Sequence, residues 1–155
     1  MDQPIQFCTF YVDGLFFGVN VLKVQEVLNE QDMTPVPLAS KEVCGLINLR
    51  GQIVTAIDLR QRLDLDRSEL QEPPMNVVVH TEDGIFSLLV DEIGDVIEPD
   101  EATFENPPET LEGVARELVA GVYKLEDRLL LVLDTEKAVL IGNSSGANRE
   151  ASISA

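Results

Sequence analysis

Tryptophan is absent from this chain and aromatic residues make up only 5% of it, so aliphatic side chains must fill its core. There are two cysteines, Cys8 and Cys44, both in apolar runs and without metal-ligand or redox spacing, so each reads as a small buried hydrophobe. One histidine, His80, sits in the run 77–81, where a surface or satisfied residue is a simpler reading than a base. No G-x-S-x-G elbow, phosphate-binding glycine loop, H-E-x-x-H or C-x-x-C motif occurs. Basic residues are scarce too: 11 Lys and Arg against 28 Asp and Glu leave a formal charge of −17. That charge repels nucleic acid and anionic membranes, and no nucleic-acid partner is expected. No uncharged stretch reaches 18 apolar residues, so no membrane insertion is expected. The N-terminus lacks a basic segment followed by a long apolar run, which argues against a signal peptide and for a cytoplasmic location.

Carboxylates are abundant, so composition alone does not exclude paired acid–base chemistry. None of them falls in a recognisable constellation. The run Asp91–Glu92–Ile93–Gly94–Asp95 is interrupted by isoleucine and does not make a calcium ladder. The expectation is a protein without catalytic residues, metal or cofactor. Ten acids within 91–117, against Arg116 alone, suit either a solvated surface or a face that steers a partner.

What the chain does have is a repeat. Residues 44–58 align without gaps on 120–134, each copy giving a glycine, an apolar run, a polar turn, a second apolar run and an Asp. The copies differ at the turn, which is Asn48–Leu49–Arg50–Gly51 in the first and Lys124–Leu125–Glu126–Asp127 in the second. The repeat extends upstream: Asp13–Gly14 and Asp83–Gly84 each separate two apolar runs, a hairpin signal. Residues 21–27 align on 90–96, where Val21, Val24 and Val27 recur as Val90, Ile93 and Val96, and Glu26 recurs as Asp95. Those segments are too short for an isolated helix and read as a tight turn followed by strands at 24–28 and 93–98. Each half then supplies five extended runs, and short antiparallel strands with hairpin turns favour a small closed barrel. The fold class is mainly β, two five-stranded barrels in pseudo-twofold arrangement with short helices.

Residues 1–141 read as one domain, the first barrel over about 4–72 and the second over about 73–141, with 66–74 as linker. The Gly-, Ser- and Asn-rich stretch 142–155 reads as a disordered tail. Asp58 opens a capping-box pattern for a short helix through Leu65, and Asp134 is placed to cap a helix through Leu140.

The run Gly45–Leu46–Ile47–Asn48–Leu49–Arg50–Gly51–Gln52–Ile53–Val54, followed by Ile57–Asp58–Leu59–Arg60, resembles the signature of the CheW family of bacterial chemotaxis coupling proteins. Residues 18–27 and 90–96 are similar to two further blocks of that family, so the resemblance spans about 5–141. It implies two SH3-like barrels and a non-catalytic adaptor. The implied partners are the cytoplasmic tip of chemoreceptors and the regulatory domain of a CheA-like histidine kinase, with recruitment to membrane receptor arrays. It also implies a receptor-binding groove made by Val24, Glu26, Val27, Asn48, Arg50, Ile93 and Val96, with Gly45, Gly51 and Asp58 as structural positions. Ordinary core remains the competing reading for Val24, Val27, Ile93 and Val96. For Arg50 the competing reading is an ion pair with Glu26, and the two readings coincide if that pair shapes the groove.

The chain departs from the family pattern at Thr55, where Pro is frequent, and at Ser87, where Gly is common. Ser87 is expected to add a side chain near the groove. Two other readings stay open: an adaptor of a non-chemotaxis receptor–kinase pathway such as twitching motility or surface sensing, and a small-ligand barrel with the run 129–133 lining a cavity.

Overall fold

The computed structural model describes residues 4–65 and 73–141. The expected tail and most of the expected linker lie outside the described residues.

Strands β1 (Phe7–Val12) and β2 (Leu15–Asn20) form a hairpin whose turn, Asp13–Gly14, has φ of 52° and 79°. Two left-handed residues match the twist of the flanking strands, and Asp and Gly tolerate that backbone best. A 3-10 turn over Val21–Lys23 leads into β3 (Val24–Leu28), as the repeat suggested. Next come β4 (Val43–Leu49) and β5 (Gln52–Asp58), then α1 (Leu59–Arg62). Beyond residue 73 the order is β6 (Met75–Thr81), β7 (Gly84–Val90), β8 (Glu92–Ile97), β9 (Phe104–Glu105), α2 (Gly113–Leu118), β10 (Val119–Lys124), β11 (Leu129–Leu133) and α3 (Thr135–Ala138).

Both Asp caps form. The Arg60 and Gln61 amides donate to Asp58 Oδ1 at 3.0 and 3.4 Å, and the Lys137 amide donates to Asp134 Oδ1 at 3.1 Å. Both helices are shorter than expected. Helix α1 ends because Asp64 takes a left-handed φ of 56°, which a right-handed helix does not continue through.

The strands make two sheets, ordered β8-β1-β2-β11-β10-β9 and β3-β6-β7-β5-β4. These are two SH3-like barrels, but the expected boundary near residue 72 does not separate them. Barrel I takes β3, β4 and β5 from the first half and the β6–β7 hairpin from the second. Barrel II takes β8–β11 from the second half and the β1–β2 hairpin from the first. Each half lends its first hairpin to the other barrel. The cause is the short connection after each hairpin: Asp91 alone separates β7 from β8, and the 3-10 turn separates β2 from β3, so the chain crosses between sheets there. The lent hairpins join by parallel pairing, β7 on β5 (Ala56 opposite Ser87) and β2 on β11 (Val132 opposite Gly18).

The pseudosymmetry is maintained in detail. The β4–β5 ladder slips between Val43 and Gly45, and the β10–β11 ladder slips between Val119 and Gly121, the same position of the repeat. Each barrel has its own aliphatic or aromatic interior, Ile47, Val54, Val78 and Leu89 in one and Phe7, Phe16, Tyr123 and Leu130 in the other. A third and larger core lies between them, with Phe10, Phe17, Ile57, Leu88 and Val90 from the two sheets packed with Leu59, Leu118 and Ala138 of the helices. Exchanged hairpins with a shared core make the two barrels one hydrophobic unit.

Candidate functional site

Strands β3 and β4 are the two edges of barrel I, and the site forms where those edges meet. Arg50 is in the two-residue turn between β4 and β5, with φ of 52° for Arg50 and 89° for Gly51. This is again the left-handed pair that joins twisted strands, and it needs Gly at the second position. Asn48 holds the turn, its Oδ1 accepting from the Gly51 amide at 2.8 Å. The turn points Arg50 across to β3, where its guanidinium donates to both Glu26 oxygens at 2.6 and 2.9 Å. The fork matches carboxylate geometry, and its charge-assisted bonds hold Glu26 below its ordinary carboxyl pKa of 4.5, chiefly through the Arg50 hydrogen bond. Glu26 in turn raises the Arg50 pKa. The Arg50 side chain is 75% exposed and that of Glu26 19%, so the pair presents one face to solvent.

A second link closes the same edges. The Thr34 and Leu46 amides donate to each other's carbonyls at 2.9 and 2.8 Å, which brings the segment after β3 onto β4. Gly45 permits this approach, because a Cβ there would lie 2.7 Å from the Thr34 carbonyl oxygen. In barrel II the equivalent Gly121 lies under Phe104 and the Glu105 carbonyl, which β9 brings onto β10. The shared glycines therefore serve barrel closure in both copies.

The other expected site residues divide into two groups. Val24 and Ile93 are half-buried against the central core, so each has the core role that competed with groove contact. Val27 and Val96 are exposed, at 39% and 55%, on β3 and β8. The structure gathers Glu26, Asn48 and Arg50 around one turn, with Val27 on the same strand as Glu26. Ile93 and Val96 stand on β8 of the other sheet. Ser87 is not near a surface: it is fully buried and donates to Asn76 Oδ1 at 2.8 Å, while Asn76 Nδ2 donates to the Asn29 carbonyl at 3.0 Å. Its expected place beside the groove is thus corrected: on β7 it shares a face with Ile85 and Leu89, which pack in the barrel I interior.

Nothing at this site resembles acid–base or nucleophilic machinery, and among the described residues no group of three His, Cys, Asp or Glu side chains is placed to hold a metal. Burial and the Asp58 charge push the Cys44 thiol up to about 11, an inert thiol at neutral pH. A cavity of about 300 Å³ opens in barrel II, with Phe7, Phe104 and Tyr123 around it and Lys23 on its lining. Val132 and Leu133 of the 129–133 run line it as well. No helix among the described residues is long and apolar enough to cross a membrane.

Residues 6–140 match the CheW-like domain. The chain belongs to the CheW-like family. It is 34% identical over 136 residues to the chemotaxis protein CheW of Bacillus subtilis, covering 88% of this chain and 86% of that one. The identity to the CheW of Treponema pallidum is 29% over 140 residues, 88% of this chain and 82% of the relative. It is also 30% identical over 122 residues to Protein PilI of Pseudomonas aeruginosa, 79% of this chain and 68% of the relative. In three dimensions it resembles the scaffolding protein TtCheW of Thermoanaerobacter tengcongensis, with a TM-score of 0.80, 25% identity and coverage of 88% and 92%. As a CheW-like protein it is a non-catalytic adaptor that couples receptors to a kinase in chemotaxis signalling.

Proposed function

We propose that the closed edge of barrel I, built from Glu26, Val27, Asn48 and Arg50, is the surface by which this adaptor engages the cytoplasmic tip of a chemoreceptor. The regulatory domain of a CheA-like histidine kinase binds elsewhere on the barrels, and the adaptor acts in the cytoplasm, recruited to membrane receptor arrays. The observation that carries the reading is the Arg50–Glu26 pair. It joins two strands, as a structural pair would, yet leaves Arg50 75% exposed on an edge whose strand β3 also exposes Val27. An oriented cation on an edge that also exposes an apolar side chain suits an amphipathic helix. Val96, exposed on β8, is the second-barrel part of the same proposed surface. The strong acidity of the chain is not needed for this and leaves a dedicated partner set open. A second reading, a receptor–kinase pathway other than chemotaxis, draws on the likeness to Protein PilI, a relative whose name is not that of a chemotaxis protein.

Affinity purification of the tagged chain from its native cells tests the proposal. A chemoreceptor and a CheA-like kinase should copurify, and the identity of the receptor separates the two pathways. If neither copurifies under gentle lysis, the adaptor's proposed partners are wrong.

A further inference from the structure

Two polar clamps cross between the barrels at equivalent places of the repeat, with opposite polarity and unequal strength, beside a third link in which Arg62 of α1 donates to the Lys137, Ala138 and Leu140 carbonyls at 2.9, 2.9 and 3.4 Å. Asp58 aligns with Asp134, so Arg60 aligns with Glu136, and the crossing pair Asp91–Glu92 aligns with Leu22–Lys23. In the first clamp Arg60 Nε and Nη2 donate to Asp91 Oδ1 and Oδ2 at 3.0 and 2.6 Å. Arg60 Nη1 donates to Asp13 Oδ1 at 3.3 Å, and the Asp13 amide donates to Asp91 Oδ2 at 2.7 Å. In the second clamp Lys23 Nζ reaches Glu136 Oε2 at 3.5 Å, and the Glu82 amide donates to Glu136 Oε1 at 3.1 Å.

Their placement gives them a purpose. Arg60 lies on α1, which continues β5 of barrel I. Asp91 is the one residue between β7 and β8, where the chain passes from barrel I to barrel II, and Asp13 is in the β1–β2 turn of barrel II. The second clamp mirrors this, with Glu136 on the helix after β11, Lys23 at the β2–β3 crossing and Glu82 in the β6–β7 turn. The Arg60 side chain is only 13% exposed, whereas Lys23 and Glu136 are 45% and 35% exposed. A guanidinium fork largely withdrawn from water fixes direction as well as distance. A single ammonium–carboxylate contact in water is screened and orients little.

We infer that Arg60 is a positioning residue of the adaptor, holding the angle between the barrels through Asp91 and Asp13, while the Lys23–Glu136 contact contributes little to it. A partner that touches both barrels then depends on Arg60 without touching it. That consequence rests on the adaptor reading. The angle itself does not, because it is measured on the isolated protein.

The test places spin labels at Ile53→Cys on barrel I and Leu129→Cys on barrel II in a Cys8→Ala, Cys44→Ala background, and reads their distance distribution by pulsed electron resonance. Arg60→Met should broaden that distribution, because the Arg62 and Lys23 contacts that remain do not hold the Asp91 crossing. Far-ultraviolet dichroism should stay native and receptor–kinase coupling should fall several-fold. Arg60→Lys, which keeps the charge but not the fork, should lie between, and Lys23→Met should leave both readouts unchanged. If Arg60→Met does not fold, Asp13→Asn, which keeps the left-handed turn and the Asp91 pair, should broaden the distribution in the same direction by less. An unchanged width in Arg60→Met or in Asp13→Asn, or equal broadening by Lys23→Met, would overturn the inference. A broadened width with undiminished coupling would keep Arg60 as the angle-setting residue and sink its link to the adaptor's partners.

Discussion

Arg50 joins the edges of barrel I and still offers most of its side chain to a partner. These two duties can be separated by charge reversal. Arg50→Glu combined with Glu26→Arg rebuilds an ion pair across the edge but moves the cation. If partners read Arg50 itself, the double variant should fold and still fail in coupling; recovered coupling would mean the pair matters only for closure. The pair also has a defined acid limit. Glu26 is held below its ordinary value of 4.5, so the pair's contribution is complete above that value and is lost only as pH falls through the lowered one. Receptor binding measured from about pH 8 down to about pH 5 should therefore be flat as far as this pair is concerned. Gly45 belongs at the same scale. Gly45→Ala puts a methyl against the Thr34 carbonyl and should cost about 1–3 kcal/mol in denaturant unfolding, the usual range for overpacking. Gly121→Ala should cost less, since its tightest neighbour is the half-exposed Phe104 ring, which can swing away. Both Asp caps were legible in the sequence as the same residue at matched places of the repeat, and the ion pair as the reading that competed with partner contact for Arg50. The place of Ser87 was not, because both faces of β7 are covered, one by the barrel I interior and the other by the shared core, and no local signal shows that.

At the scale of elements, the strands were legible because hairpin turns and apolar runs are local signals. Strand β3 has the expected bounds, and β8 begins and ends one residue early. Helix α2 was not legible: it opens at Gly113, with φ of 69° and no side-chain cap, so no capping signal announces it. Nor was the exchange of hairpins, since nothing local says with which half a hairpin will pair. The Asn76–Ser87 bond ties the lent hairpin's two strands together inside barrel I. Ser87→Gly, the residue common in the family, should leave partner binding intact. It should cost about 1–3 kcal/mol in thermal or denaturant unfolding, because it leaves Asn76 Oδ1 buried without a donor. A binding defect without a stability defect would put Ser87 back at the groove.

At the scale of the whole molecule, exchanged hairpins and a shared core mean that neither half can keep its barrel alone. Unfolding should be a single cooperative transition by both fluorescence and dichroism, and Cys44 should resist thiol reagents until that transition. Two separated transitions would contradict the interleaved topology. The whole-molecule asymmetry was partly legible. The repeat with Arg50 set against Glu126 was visible, whereas the charge reversal of Arg60 against Glu136 had no meaning until the crossings were placed.

The most direct measurement is the affinity of a purified receptor-tip fragment for three forms of the chain: unaltered, Arg50→Ala and Glu126→Ala, each checked for native dichroism. The account predicts that Arg50→Ala weakens binding by about tenfold or more while Glu126→Ala stays within about twofold. Equal losses from the two substitutions, or full binding by a folded Arg50→Ala, would contradict it.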